Sequence, residues 1–408
     1  MVTWESQMPF ILGMIKRPAR KPKNTYFQSA KQRLGTTSLL ALMVLSGVSI
    51  DAFSIDGRLR VGVVRPMTGP MQPIGDELMN GIEIAHDKIK QSKNKELASL
   101  IRVFEADDEG KGSTAATAAL SLINKDRVHI LIGSISNTLN DSITDVAARK
   151  KRLIILPIGT SPSLTSKGSN VYSMSLSEPQ QGAALGKFAR TVLNKSNALI
   201  LEEKENPYSQ SLGSNFANSF KKFGGNNAMR NTFESSVEGI KAISAEASQI
   251  AHDLAFIPTF YPDARQLIKR LQNRGLKSTF IGGDGWDTFN IKNTFGSRFP
   301  GLYYYTPYTT DDPHPALQKF VKAYQDKFKK MPSLAAFAGY EAFNLATFAY
   351  RKVKSNRTGP LASFLKQAKK LPSLSGPIKM NSSRTPNKPA TIMVTTPQGS
   401  QFMTKVTL

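Results

Sequence analysis

Two short loops, Gly133 to Thr138 and Ile158 to Pro162, carry the residues best suited to hold something small and polar. Each is rich in Gly, Ser, Thr or Asn, and each follows an apolar run, Ile130 to Ile132 and Leu153 to Leu156. Their hydroxyls, side-chain amides and the free N–H groups of a helix start are donors. The chemistry they offer is therefore capture of a carboxylate or similar anion.

Signs of catalysis are absent. Gly133-Ser134-Ile135-Ser136 is not a nucleophile elbow, no Ser has a nearby candidate His, and there is no P-loop. Gly283-Asp284-Gly285 follows an apolar strand as a dinucleotide fingerprint would, but the third Gly and a clean helix are missing. Glu202 and Glu203 at a strand end have the types for acid and base, and read as surface or salt-bridged carboxylates. The acidic Asp107, Asp108 and Glu109 lack the calcium-loop pattern and read as a helix lead-in. The four His, at 86, 129, 252 and 314, have no metal-ligand spacing, and with no Cys there is neither a disulfide nor a lipid-modified cysteine. No metal, cofactor or enzyme activity is expected.

Strands and helices must position the two loops. The doubly apolar runs suit strands covered on both faces, and Asn137 to Lys151 between them suits a helix ending in basic residues. Leu59 to Val64 reads as a first strand, Arg65 to Gly75 as a loop of Pro and Gly, and Asp76 to Lys90 as a helix with Leu78, Ile82, Ala85 and Ile89 on one face. A strand at Leu100 to Phe104 and a helix from Ser113 to Asn124 complete the first set. From Glu178 the pattern restarts: strands at Ala198 to Glu202, Arg230 to Ser235, Asp253 to Pro258 and Thr279 to Gly282, with helices between them. An aromatic strand, Leu302 to Pro307, precedes three helices and two terminal strands. Alternating β and α segments imply an α/β fold of two doubly wound, Rossmann-like lobes. The order implies a chain that crosses between them more than once: 57–173 in lobe 1, 174–303 in lobe 2, 304–374 back in lobe 1 and 375–408 back in lobe 2.

The formal net charge is +24. Residues 1–52 hold seven Lys or Arg against two Asp or Glu, a net of +5 that leaves +19 for the rest. That remainder is spread over many helices and does not alternate with stacking aromatics, so nucleic acid is not an expected partner. Lys31, Gln32 and Arg33 before the apolar run Leu39 to Ile50, followed by Asp51-Ala52, form a secretory signal pattern with cleavage after Ala52. The long basic lead is explained by a start at Met14; a buried core segment is the competing reading. A periplasmic location is expected.

Taken together, LRVGVVRPMTGP, IGDELMNGIEIA, HILIGSISN, IILPIGTSPSLT and TFIGGDGW resemble the type I periplasmic binding proteins of the branched-chain amino-acid and amide group, over about Leu59 to Leu408. The resemblance implies two lobes joined by three crossovers, which close on a small ligand and deliver it to a membrane ABC permease; a monomer is expected. It puts the ligand carboxylate at Ser136 and Asn137 and at Ile158, Gly159, Thr160 and Ser161. It puts pocket aromatics at Tyr208 and Phe260 and makes Asp284 the acceptor of an ammonium group; Trp286, in the same Gly-Gly-Asp-Gly-Trp turn, is expected to shield that pair from water. Ile74 stands where many relatives carry an aromatic, and Ser173 where many carry Arg. An amino acid or related small amide is the expected ligand; the alternative is a sensor of amides or urea-like compounds.

Overall fold

The computed structural model describes residues 58–92, 95–287 and 298–408. The expected signal segment and its cleavage site lie outside them.

Two sheets organise the chain. The first is wholly parallel and built from β1 (Leu59–Arg65), β2 (Ile101–Asp107), β3 (Ile130–Ile132), β4 (Leu153–Leu156) and β5 (Val171–Ser173), in the order β2-β1-β3-β4-β5. The second contains β6 (Asn197–Glu203), β7 (Asn227–Phe233), β8 (Leu254–Phe256), β9 (Thr279–Gly282), β10 (Leu302–Thr306), β13 (Ala390–Thr396) and β14 (Gly399–Val406). Its order is β14-β13-β10-β9-β8-β6-β7, with only β13 and β14 antiparallel to their neighbours. Helices cover both faces of each sheet, which is why β3 and β4 are fully buried and read as unbroken apolar runs. Rossmann-like α/β lobes are thus observed.

The helices Gln72–Lys90 and Leu334–Val353 cross with their backbones almost touching. A side chain at Gly81 would meet the Ala336 carbonyl at 1.9 Å, and one at Gly339 the Leu78 carbonyl at 2.1 Å. The late helix is therefore part of the first lobe, and its Phe337, Phe343 and Leu345 are buried in the same core as Leu59, Val61 and Ile82.

Several boundaries differ from expectation. The helix expected at Asp76 starts at Gln72, because a Pro in the first turn fits where no N–H is needed. A short helix, Lys95–Leu100, precedes β2, and β2 runs on to Asp107. β10 pairs with β9 and β13, so the return to the first lobe comes after Thr306 and not at 304. Leu374, Ile378 and Met380 pack in the first core, and a two-stranded ribbon, β11 (Lys379–Met380) with β12 (Pro386–Asn387), intervenes, so the last crossing lies near Lys388 and not at 375.

The crossings carry a buried polar network. Lys388 Nζ donates to Tyr308 Oη at 2.9 Å, and Tyr308 donates to Glu341 Oε2 at 2.5 Å. Glu341 also accepts the Leu374 N–H. Lys388 is 6% exposed and Glu341 0%; burial lowers the Lys388 ammonium while the Glu341 carboxylate holds it up.

Candidate ligand site

Every element near the two sequence-selected loops ends there for a local reason. Ser136 caps the helix Asn137–Arg149, its Oγ accepting the Leu139 N–H at 3.3 Å. Asn137 follows in the first turn and reaches across to the next loop: its Oδ1 accepts the Thr160 N–H at 2.9 Å and its Nδ2 donates to Thr160 Oγ1 at 2.9 Å. Ser161 N also donates to Asn137 Oδ1, at 3.4 Å. Ser136, Asn137, Thr160 and Ser161 therefore form one cluster past the carboxyl ends of β3 and β4.

Ile158 and Gly159 turn their polar groups inward. The Ile158 carbonyl accepts from Asn140 Nδ2, and the Gly159 carbonyl accepts the Ser173 hydroxyl at 2.6 Å. Ser173 is fully buried, so its small side chain locks the loop where a larger one would not fit.

On the second lobe Asp284 opens a short 3-10 turn, Asp284–Trp286, directly after β9. Tyr208, in the first turn of the helix Pro207–Lys222, donates to Asp284 Oδ1 at 2.6 Å and accepts the Gly285 N–H at 3.0 Å. Gln181 Nε2 donates to Asp284 Oδ2 at 3.0 Å. The turn needs its glycines: a side chain at Gly283 or Gly285 would meet Tyr208 Oη at 2.9 or 3.0 Å. Burial pushes the Asp284 carboxyl up, and the bonds from Tyr208 and Gln181 pull it back. Phe260 stacks on Tyr208 with ring centroids 5.0 Å apart and is 53% exposed.

Trp286 does not shield Asp284. It is 0% exposed in the core on one face of the second sheet, against Gly282, so the aromatic of this turn is a packing residue. Ile74, 44% exposed, sits in the first turn of its helix.

Glu178 and Gln181 were absent from the expected site, and Glu178 joins its two halves. It opens the helix Glu178–Thr191, the first of the second lobe, and is 3% exposed. Its N–H donates to the Thr160 carbonyl at 2.9 Å, and the Thr160 hydroxyl lies 3.4 Å from its Oε1. Burial and the nearby Asp284 raise its carboxyl to about 7, against the pull of hydrogen bonds from Ser211 and Thr160. A Glu at a helix start reads in sequence as ordinary capping, and nothing local announces that it is buried.

A groove of about 970 Å³ on the first lobe, between the helices Gln72–Lys90 and Pro315–Phe328, shares no residue with this cluster. Its Lys327 is paired with Glu83 and Asp87.

A hydroxyl-rich helix start on one sheet and a held carboxylate on the other, joined where the chain crosses, is the geometry of a two-lobed solute trap. The family model described as periplasmic binding protein matches residues 58–400. The chain belongs to that family. Within it, it is a type I periplasmic binding protein of the branched-chain amino-acid binding group. A Leu/Ile/Val-binding protein homolog 2 of Brucella abortus is 24% identical over 321 residues, covering 78% of this chain and 80% of that one. The crystal structure of a leucine binding protein from Thermotoga maritima superposes with a TM-score of 0.71 at 23% identity, over 86% of this chain and 99% of that one. A solute binding protein from R. palustris in complex with benzoate gives a TM-score of 0.68 at 20% identity, over 86% and 96%. These relatives are named as binding proteins, not as enzymes.

Proposed function

We propose that this protein, exported to the periplasm, captures an amino acid of the branched-chain kind or a related small amide, and delivers it unchanged to a membrane ABC permease. The observation that carries the reading is Asp284. Its carboxylate is fixed by Tyr208 and Gln181 at the carboxyl end of β9 and has no ion-pair partner among the described residues. A ligand ammonium supplies the missing charge. The ligand carboxylate then faces the Ser136 hydroxyl and the N–H groups that open the helix Asn137–Arg149, which favour an anion. Asn137, Ile158, Gly159 and Ser161 hold the loop in shape, and Thr160 couples it to Glu178. Contacts to both lobes favour the closed form, and that form is what the permease recognises.

A second reading has one observation in its favour. The exposed Phe260 ring stacked on Tyr208 is a platform for an aromatic acid, the kind of ligand named for the R. palustris protein. Asp284 argues against it, because its carboxylate repels a ligand whose only charge is a carboxylate.

Calorimetric titration with leucine, isoleucine, valine, small amides and benzoate separates the readings. Micromolar or tighter binding of an amino acid upholds the first; benzoate alone binding upholds the second.

A further inference from the structure

The ligand cluster contains more acceptors than a single ammonium-binding carboxylate needs. Gln181 is 0% exposed, and its amide nitrogen donates both to Asp284 Oδ2 and to the Leu176 carbonyl at 3.1 Å. Both neighbours are acceptors, so the nitrogen must face them and the Oε1 must face away. That buried Oε1 has no hydrogen-bond partner among the described residues, and it looks onto the bare α-carbon of Gly283, 3.9 Å from where a side chain there would begin. The Tyr208 hydroxyl is already used twice, donating to Asp284 and accepting from Gly285. The cluster is short of donors.

Resting on the amino-acid reading above, we infer that Glu178 is a second acidic determinant of the ligand site, its carboxyl joining Asp284 and the Gln181 carbonyl around the ligand's cationic nitrogen. An ammonium with three N–H groups matches three acceptors; a carboxylate or a neutral ring does not. The groups that face Glu178 are Thr160 from the first lobe, Ser211 and Tyr208 from the helix Pro207–Lys222, and Asp284 from the 3-10 turn. None of them is cationic, and burial together with the nearby Asp284 leaves Glu178 about half protonated at pH 7 without ligand. When the cation arrives, the Glu178 O–H bond breaks, the carboxylate stays with the ligand, and one proton leaves to solvent. Binding is therefore linked to pH, tighter as pH rises through 7.

The test is calorimetry of the whole protein with leucine in phosphate and in Tris, buffers of different ionisation heat, at pH 6, 7 and 8. Release of about half a proton per leucine at pH 7 is expected, with affinity rising severalfold from pH 6 to 8. Glu178→Gln should abolish both the release and the pH slope and weaken binding about tenfold. Leucine binding without proton release in the wild type, or with the same pH slope in Glu178→Gln, overturns the role of Glu178 while leaving the amino-acid reading intact. If no amino acid binds, isoamylamine is titrated in the same way. Amine binding with proton release then upholds Glu178 against a failed amino-acid reading, and its absence overturns both.

Discussion

Thr160 and Glu178 tie the two lobes together beside the first crossing: the Glu178 N–H donates to the Thr160 carbonyl at 2.9 Å, and their side chains meet at 3.4 Å. Whatever binds near Ser136 is thereby felt by the first helix of the second lobe.

Burying Glu178 at this junction beside Asp284 has a cost in stability that depends on pH. The Glu178 carboxyl, raised from 4.5 to about 7, holds a proton that the unfolded chain releases. Stability of the ligand-free protein therefore falls as pH rises from 4.5 to 7 and is level above, a loss on the order of 3 kcal/mol. Glu178→Gln should match the wild type near pH 4.5 and exceed it at pH 8. Urea unfolding at both pH values checks this; equal stability at pH 8 contradicts it.

Tyr208 holds the Asp284 turn through one hydroxyl. Tyr208→Phe leaves the Gly285 N–H without its acceptor and Asp284 with one donor fewer, so folding stability should fall by about 1–3 kcal/mol. Leucine affinity should fall with it, because Asp284 is then free to leave its position. Chemical denaturation and calorimetry report the two effects; a variant as stable and as tight as the wild type removes the turn from the account.

The Lys388–Tyr308–Glu341 network predicts strong coupling between the crossings. Lys388→Met leaves Glu341 buried without its cation, and Glu341→Gln leaves Lys388 without its anion, so each alone should cost about 3 kcal/mol or more. The double variant should recover much of that. A double-mutant cycle by thermal unfolding measures the coupling, and simple additivity would show that the pair acts independently.

Much of the fold is legible in the sequence. Ile130–Ile132 and Leu153–Leu156 read as strands because burial on both faces leaves no polar residue in either run. The start at Gln72 is hidden because Pro and Gly signal a loop while Pro also suits a first helical turn. Lys95–Leu100 is too short to show a period. In the site, Ser136, Thr160 and Asp284 stand at strand ends where ligand residues are sought, but Glu178 and Gln181 lie inside a helix. Their role rests on pairings such as Gln181 with Asp284, 103 positions apart, that no local pattern contains. Trp286 misleads for the opposite reason: an aromatic beside a ligand turn looks functional, yet its ring fills the core beneath.

The most direct test of the central claim is calorimetric titration of the wild type and Asp284→Ala with leucine, isoleucine, valine and benzoate. A charge-assisted bond lost inside a buried cluster should weaken amino-acid binding by about 3 kcal/mol, on the order of a hundredfold, with the circular-dichroism spectrum of the variant kept and its unfolding still cooperative. If Asp284→Ala binds an amino acid as tightly as the wild type does, or if the wild type prefers benzoate, Asp284 is not the ammonium acceptor and the amino-acid reading is wrong.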